Sequence, residues 1–332
     1  MLLWKLLITG ALSGLVLGSV LMMVLVNRLA PLLQSRRQRS LRDQHKMPIP
    51  RFGGVGMAWA FFGSVGLLIW LPFEERGLGL EMLPQNRLWG LLLGALLAWG
   101  IGFADDVWTL RARWKLLGQI SLGFLAVYFG FTIESIEGPF FQKMNLGFWS
   151  IPLTILWIVG IMNAINLIDG LDGLASGIIL IILITLSWLA HEMGKIELML
   201  LMVVLIGSIV SFLSFNRPPA SIFMGDSGSY FLGYLVAILS IWVCEKSTGT
   251  VSLFPLLILA VPIIDTTFSI FRRFLKGIPF YSADKDHLHH RLLAKGMTAA
   301  QAVFILSGIS IIYGSLALSA HYFSEYQSYV YL

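Results

Sequence analysis

Asp105 and Asp106 stand side by side at the end of the apolar run Gly102-Phe103-Ala104, and Arg111, Arg113 and Lys115 follow before Leu116 restarts the apolar pattern. Two adjacent carboxylates at a membrane boundary are costly unless cations or a metal compensate them. Hard oxygen ligands of this kind suit Mg²⁺, which neutralises phosphate charge in phosphoryl transfer. A solvated helix cap would account for one of the two Asp. The pair, with Lys115 downstream, favours a functional site.

The segment Asn163-Ala164-Ile165-Asn166-Leu167-Ile168-Asp169-Gly170-Leu171-Asp172-Gly173 places polar residues at every third position. On a helix, residues three apart are neighbours, so the four would lie on a slowly drifting stripe. The spacing lacks the alternating ligands and terminal Glu of an EF-hand. A polar seam between helices is the bland alternative, but seams use Ser, Thr or a single Asn, and two Asp argue against it.

Further along, Phe215-Asn216-Arg217-Pro218-Pro219 stops an apolar run, and Phe223-Met224-Gly225-Asp226-Ser227-Gly228 suits a tight loop with Asp226 aimed at a ligand or metal. Phe223 could stack on a base or simply pack. In Asp284-Lys285-Asp286-His287-Leu288-His289-His290-Arg291, three histidines fall within four positions. That pattern suggests a metal, but no cysteine accompanies it, and Lys285 and Arg291 would repel a cation while welcoming phosphate. His45, Lys46 and Arg51, ahead of Phe52-Gly53-Gly54, are likewise placed for a phosphate, whereas Arg36, Arg37 and Arg39 read as topology signals.

The elements that must position these groups are membrane spans. The 332 residues are 57% hydrophobic and 12% charged, against about a quarter charged in an average soluble domain. A spanning helix needs roughly 20 mostly apolar residues. Ten stretches qualify: Leu2 to Val26, Gly53 to Pro72, Leu88 to Ala104, Leu116 to Ile133, Ile151 to Ile165, Leu174 to Ala190, Leu198 to Ser214, Tyr230 to Val243, Val251 to Phe271 and Ala302 to Ala320. The expectation is an all-α, polytopic integral membrane protein with about ten transmembrane helices, residues 1–332 forming one domain. The first stretch ends at Asn27 and Arg28 without a small-residue cleavage site, so it reads as a retained anchor. A lone cysteine, Cys244, excludes an internal disulfide and a thiolate metal cluster. The basic residues form no patch with interleaved aromatics, which excludes a nucleic-acid partner. Their external partner is the anionic membrane lipid of the cytoplasmic leaflet.

Lys and Arg resist translocation, and with the N-terminus outside, 17 of the 23 basic residues fall on the cytoplasmic side. All nine Asp then lie in or beside cytoplasmic segments, and all nine Glu lie at the opposite face. The outer loops are short and carry no readable motif.

With these segments in order, the chain resembles the polyprenyl-phosphate N-acetylhexosamine-1-phosphate transferases, the family of the WecA and TagO enzymes and the MraY translocase. The resemblance covers His45 to Gly54, Gly102 to Gln119, Asn163 to Gly177, Phe215 to Gly233 and Pro262 to Leu293. It implies that Asp105 and Asp106 are the family's catalytic aspartate pair, with Lys115 near the phosphates. Asn166, Asp169, Asp172, Asn216 and Phe223 would line the nucleotide and sugar pocket, with Asp226 and Asn166 at Mg²⁺ or Mn²⁺. His287, His289 and His290 match the family's histidine motif, and the interrupting Leu288 looks like WecA and TagO rather than MraY. Thr109 stands near a position where MraY-like members carry lysine, and no role is carried to it.

The implied reaction is attack by a polyprenyl (undecaprenyl) phosphate on a UDP-N-acetylhexosamine, most simply UDP-GlcNAc, at a bacterial inner (plasma) membrane with the site facing the cytoplasm. It would start a cell-envelope polysaccharide such as lipopolysaccharide or teichoic acid. Whether Asp105 or Asp106 acts as base, or an Asp forms a covalent intermediate, stays open, with direct displacement favoured. A homodimer is allowed for. An MraY-type phospho-N-acetylmuramoyl-pentapeptide transferase is the alternative within the family. An ion-coupled transporter is the alternative outside it; against it, the acids lie at one face rather than across the midplane, with no half-helix repeat. A CDP-alcohol phosphotransferase would need an Ala-Arg pair where this chain has Ala175-Ser176.

Overall fold

The computed structural model describes residues 2–29, 49–70, 79–138, 141–247, 249–277 and 287–330. The helices are α1 (Leu2–Val24, continued by a wider π turn over Leu25–Leu29), α2 (Gly53–Trp70), α3 (Gln85–Trp108), α4 (Ala112–Tyr128), α5 (Ser150–Ile168), α6 (Leu174–Glu192), α7 (Ile196–Asn216) and α8 (Gly225–Cys244). They continue with α9 (Phe254–Ile258), α10 (Ala260–Leu275), α11 (Leu288–Ala294) and α12 (Ala299–Val330). Among the described residues, eight helices are long and apolar enough to cross a membrane: α1, α2, α3, α5, α6, α7, α8 and α12. The fourth apolar stretch becomes α4, of 17 residues. The ninth, read as one run, is divided into β4 (Thr250–Ser252), α9 and the 16-residue α10. Pro255 opens α9 and Pro262 lies in the first turn of α10, where a missing N–H costs least, and each proline restarts a helix.

Exposure shows which surface faces lipid. Ile8, Leu12, Val16 and Val20, four residues apart on α1, are all more than half exposed, an apolar stripe that only a hydrocarbon environment would accept at this length. At the other extreme, every residue of α8 from Ser227 to Cys244 is buried. α2, α3, α5 and α6 pack around this central rod, and the other long helices pack outside them. Close approach at its N-terminal end depends on Gly102 of α3, where a Cβ would lie 2.2 Å from the carbonyl oxygen of Asp226. Without that glycine the aspartates of α3 could not come to the start of α8.

At the end remote from the Asp residues lies a four-stranded sheet in the order β2-β1-β4-β3, with β1 Ser135–Gly138, β2 Phe141–Asn145 and β3 Glu245–Ser247. β1 pairs antiparallel with β2 and parallel with β4, and the Ser135 and Thr250 hydroxyls share a 2.8 Å hydrogen bond. The sequence reading gave these outer segments no structure. Strands of three to five residues are too short to show a period of two.

The sorting of acids is physical as well as sequential. Glu137 pairs with Lys246 and Glu245 with Arg87 at the sheet end, while Asp105, Asp106, Asp169, Asp172 and Asp226 gather at the other end.

Candidate active site

α8 begins at Gly225, whose φ of +74° turns the chain into the helix. The carboxylate of Asp106, at the end of α3, accepts the first backbone N–H groups of that helix. Its Oδ1 takes Asp226 N–H and its Oδ2 takes Ser227 N–H, each at 2.9 Å. A negative charge at a helix N-terminus satisfies donors that have no partner within the helix and complements the dipole. Asp106 is therefore tied to the backbone that carries Asp226.

Asp105 meets the Asp226 side chain rather than its backbone. Its Oδ1 accepts Leu110 N–H at 2.6 Å, and its Oδ2 pairs with Lys115. Between them Thr109 ends α3 in the left-handed region, φ 54°, a conformation that costs a non-glycine residue free energy and lets the chain reverse within a few residues. That reversal brings Lys115 of α4 back to both Asp105 and Asp226, whose Oδ2 it reaches at 3.0 Å. Asn166 donates to the other oxygen of Asp226 at 3.1 Å and to Ser229 Oγ at 2.8 Å. Asp226 thus faces one cation, one amide and the neighbouring Asp105 carboxyl, while its own backbone is fixed by Asp106.

The polar stripe expected along one helix is divided. α5 ends at Ile168, and Asp169 to Gly173 form a turn that ends with Gly173 at φ +77°. Asn163 donates to Gln119 Oε1 on α4 at 2.7 Å, so it belongs to an interhelical seam. Asn166, Asp169 and Asp172 reach the cavity. Asp172 accepts Ala220 N–H at 3.1 Å. Asn216 accepts Gly173 N–H and donates to Ile222 O, both at 2.9 Å, joining the Asp169–Gly173 turn to the Pro218–Pro219 loop. Phe223 pairs backbone to backbone with the chain at Pro50 and Gly53, which carries Arg51 to the cavity rim. His45 and Lys46 lie outside the described residues.

These groups line a cavity of about 580 Å³, among them Arg51, Asn166, Asp169, Asp172, Asp226 and His290. Burial pushes the Asp169 carboxyl up to about 7, and the negative charges of Asp226 and Asp106 push the same way against the pull of Arg51. A cavity of this volume admits a sugar-nucleotide-sized ligand, and its acids call for positive charge to accompany an anionic one.

The histidines do not act as one cluster. His287 is buried against α10, its Nδ1 3.0 Å from Asp265 Oδ2 and 3.2 Å from Ser269 Oγ. His289 is 1% exposed, and among the described residues neither ring nitrogen has a hydrogen-bond partner. Burial lowers its proton affinity to about 4, helped by the neighbouring His290, so its ring is neutral at pH 7. His290 alone of the three lines the cavity. Asp265, Gln119 and Ser229 are the participants that pattern reading gave no role; for Asp265 the signal was present, a carboxylate inside an apolar stretch.

Among the described residues, no three His, Cys, Asp or Glu side chains come together as a self-contained metal cage. The donor set still fits Mg²⁺, which keeps several waters and takes one or two carboxylates plus substrate phosphates. Asp226 supplies such a carboxylate at the cavity wall, Asn166 lies beside it, and Lys115 already shows that a cation is stable there.

The profile described as "Glycosyl transferase family 4" matches residues 88–244. A Bacillus subtilis (strain 168) protein described as "Probable undecaprenyl-phosphate N-acetylglucosaminyl 1-phosphate transferase" is 38% identical over 296 residues, 89% of this chain and 79% of its own length. The decaprenyl-phosphate N-acetylglucosaminephosphotransferase of Mycobacterium leprae (strain TN) is 32% identical over 85% of this chain and 75% of its own. An undecaprenyl-phosphate alpha-N-acetylglucosaminyl 1-phosphate transferase of Salmonella typhi is 31% identical over a shorter region, 30% of this chain and 28% of its own.

Proposed function

The chain belongs to glycosyl transferase family 4, among the polyprenyl-phosphate N-acetylhexosamine-1-phosphate transferases of WecA and TagO type, and from that membership we propose that it transfers GlcNAc-1-phosphate from UDP-GlcNAc to undecaprenyl phosphate, releasing UMP. The observation that carries the reading is the convergence of Asp169, Asp172 and Asp226 with Asn166 and Arg51 on one cavity. Residues 1–332 act as one transferase unit. The protein is multi-pass in a bacterial inner membrane, the cavity faces the cytoplasm where nucleotide sugars are made, and the product starts a cell-envelope polysaccharide.

In the reaction an oxygen of the lipid phosphate attacks the β-phosphorus of the donor. The new P–O bond forms as the bond from that phosphorus to the bridging oxygen breaks, and UMP leaves with that oxygen. Two polyanions must meet, so positive charge has to be fixed beforehand. Arg51, which lines the cavity, and Lys115, paired with the cavity-wall Asp226, supply it from the chain. Asp226, with Asn166 beside it, is placed to hold Mg²⁺, or Mn²⁺ in its stead, which supplies further neutralisation of the donor pyrophosphate.

The aspartate pair divides its labour. Asp106 sets the start of α8, and with it Asp226. Asp105 holds Lys115 against the site. Asp169, with a carboxyl near 7, is the group in the cavity matched to the second proton of a phosphate monoester, whose pKa is about 6. Asn216 keeps the Asp169–Gly173 turn in place, and Phe223 and His290 close the wall.

Purified protein given UDP-GlcNAc, Mg²⁺ and undecaprenyl phosphate should release UMP and form a lipid-linked pyrophosphoryl sugar. UMP release with another UDP-N-acetylhexosamine but not with UDP-GlcNAc would correct the donor. No UMP with any of them would overturn the reading.

A further inference from the structure

Asp265 sits on α10, 2% exposed, and does not reach the cavity. A carboxylate removed from water is tolerated only when its lone pairs are satisfied, and the groups that satisfy it come from the histidine segment. Asp265 Oδ1 accepts Leu288 N–H at 2.8 Å, and Oδ2 pairs with His287 Nδ1 at 3.0 Å. Ser269, one turn along α10, brings its hydroxyl to 3.2 Å from the same nitrogen, and Arg272 donates to that hydroxyl at 2.9 Å. The four side chains make one network between α10 and the start of α11.

α11 has seven residues, too few for a helix to hold its shape in isolation. Its place must come from what it docks on. The rings of His287 and His289 lie parallel with centroids 5.9 Å apart, and His289 lies 4.2 Å from His290. On its far side His289 meets the Asp169–Gly173 turn so closely that a Cβ on Gly170 would lie 2.2 Å from Nε2. The contact works only because residue 170 is glycine. A rigid sequence of contacts therefore runs from Asp265 through His287 and His289 to the turn that carries Asp169, with His290 held at the cavity wall.

We propose that Asp265 is a positioning residue: it docks the histidine helix α11 onto α10 and so fixes His290 and the Asp169 turn at the cavity. The buried His289, whose ring nitrogens have no hydrogen-bond partner among the described residues, acts as a spacer between the two.

The inference rests on the transferase reading for its kinetic arm, and a labelling arm stands free of it. In UMP-release assays Asp265→Ala should lower kcat/KM about 10- to 100-fold, the range expected for misplacing reacting groups by about an ångström, with the folded protein retained. Asp265→Asn keeps an acceptor for Leu288 N–H and should recover much of the loss. Gly170→Ala, which pushes His289 away from the other side, should produce a similar loss, and the double variant should lose little more than the worse single one. In the labelling arm, His289→Cys should react slowly with a maleimide, and adding Asp265→Ala should speed that reaction at least tenfold. Wild-type kcat/KM in folded Asp265→Ala, losses that multiply in the double variant, or an unchanged labelling rate would each overturn the proposal. Should Asp265→Ala fail to fold, Gly170→Ala decides the kinetic arm, and Asp265→Asn replaces it in labelling, where an acceleration smaller than tenfold is expected and an unchanged rate overturns the proposal. A wild-type protein that makes no UMP would refute the transferase reading while leaving the labelling result to decide the docking role.

Discussion

Asp106 holds Asp226 by the backbone: the two carboxylate oxygens on α3 take the N–H groups of residues 226 and 227 at the start of α8. A side chain occupied in this way contributes by where it places its neighbour. Asp106→Ala removes both acceptors from a half-buried helix end, which costs about 1–3 kcal/mol for unsatisfied donors, and it should lower turnover about 100-fold by releasing Asp226. Asp106→Asn retains one acceptor oxygen and should fall between. Melting curves in detergent, read beside UMP release, check both effects; full turnover in Asp106→Ala would remove the placing role.

Asp226 itself presents its carboxylate to Lys115 and Asn166 at the cavity wall. Asp226→Asn keeps the shape and the α8 start but removes the charge that a divalent cation needs. The expected result is loss of UMP release by more than about 100-fold, with little change in melting temperature. Raising Mg²⁺ should recover part of the activity of a weaker variant such as Asn166→Ala. Wild-type turnover in Asp226→Asn would take the residue out of the cation role.

The opposite end of α8 is held by charge of the opposite sign. Lys195, in the turn before α7, donates to the carbonyl oxygens of Trp242, Val243 and Glu245 at 2.9, 2.9 and 2.5 Å, where the helix leaves acceptors without partners. Burial lowers the proton affinity of its ammonium, so the three carbonyls hold a charge that water no longer solvates. Lys195→Met should lower the melting temperature as those carbonyls lose their donor. UDP-GlcNAc KM should stay within about twofold of wild type, because the turn lies at the sheet end, remote from the cavity. A change in KM without a change in melting would contradict this division.

What the sequence made legible follows from which signals are long or charged. Apolar runs of twenty residues and the one-sided placement of Lys, Arg and Asp survive any detail of packing, and they located the bundle and the end where the cavity lies. Residue spacing was less reliable at Asn163, where the three-residue period continued past the helix that produces it. That helix ends at Ile168 and the chain turns over Asp169 to Gly173, while Asn163 turns to Gln119 instead. The histidine motif was visible, but its division was not. His287 and His289 are adjacent in pattern to His290 and differ from it only through Asp265 and Gly170, which are distant in sequence. The outer sheet escaped because its strands are only a few residues long and the pairing that joins its two halves, β1 with β4, is between segments over a hundred residues apart.

Asp169 gives a dependence on pH with a definite sign. Its carboxyl is raised to about 7 in the folded protein from an ordinary value near 4. Between those values the folded state binds more protons than the unfolded, so stability falls as pH rises from about 4 and the full loss is present above about 7. Asp169→Asn, which cannot ionise, should melt higher than wild type at pH 8 in the absence of divalent cations, and the difference should vanish below about pH 4. An advantage that grows toward low pH would show that the carboxyl is stabilised rather than strained in its ionised form.

Orientation is testable because the native cysteine is buried in α8, which leaves the background of thiol labelling low. Arg113, exposed beside Lys115, marks the cavity end; Met144, half exposed on β2, marks the sheet end. Lys and Arg dominate the cavity end, and such residues stay on the side of synthesis. Arg113→Cys should therefore resist a membrane-impermeant maleimide added to intact cells and react after permeabilisation, while Met144→Cys reacts in intact cells. The reverse pattern would put the cavity outside, where UDP-sugars are not made, and the membrane topology and the transferase reading would then fail together, since each depends on the other.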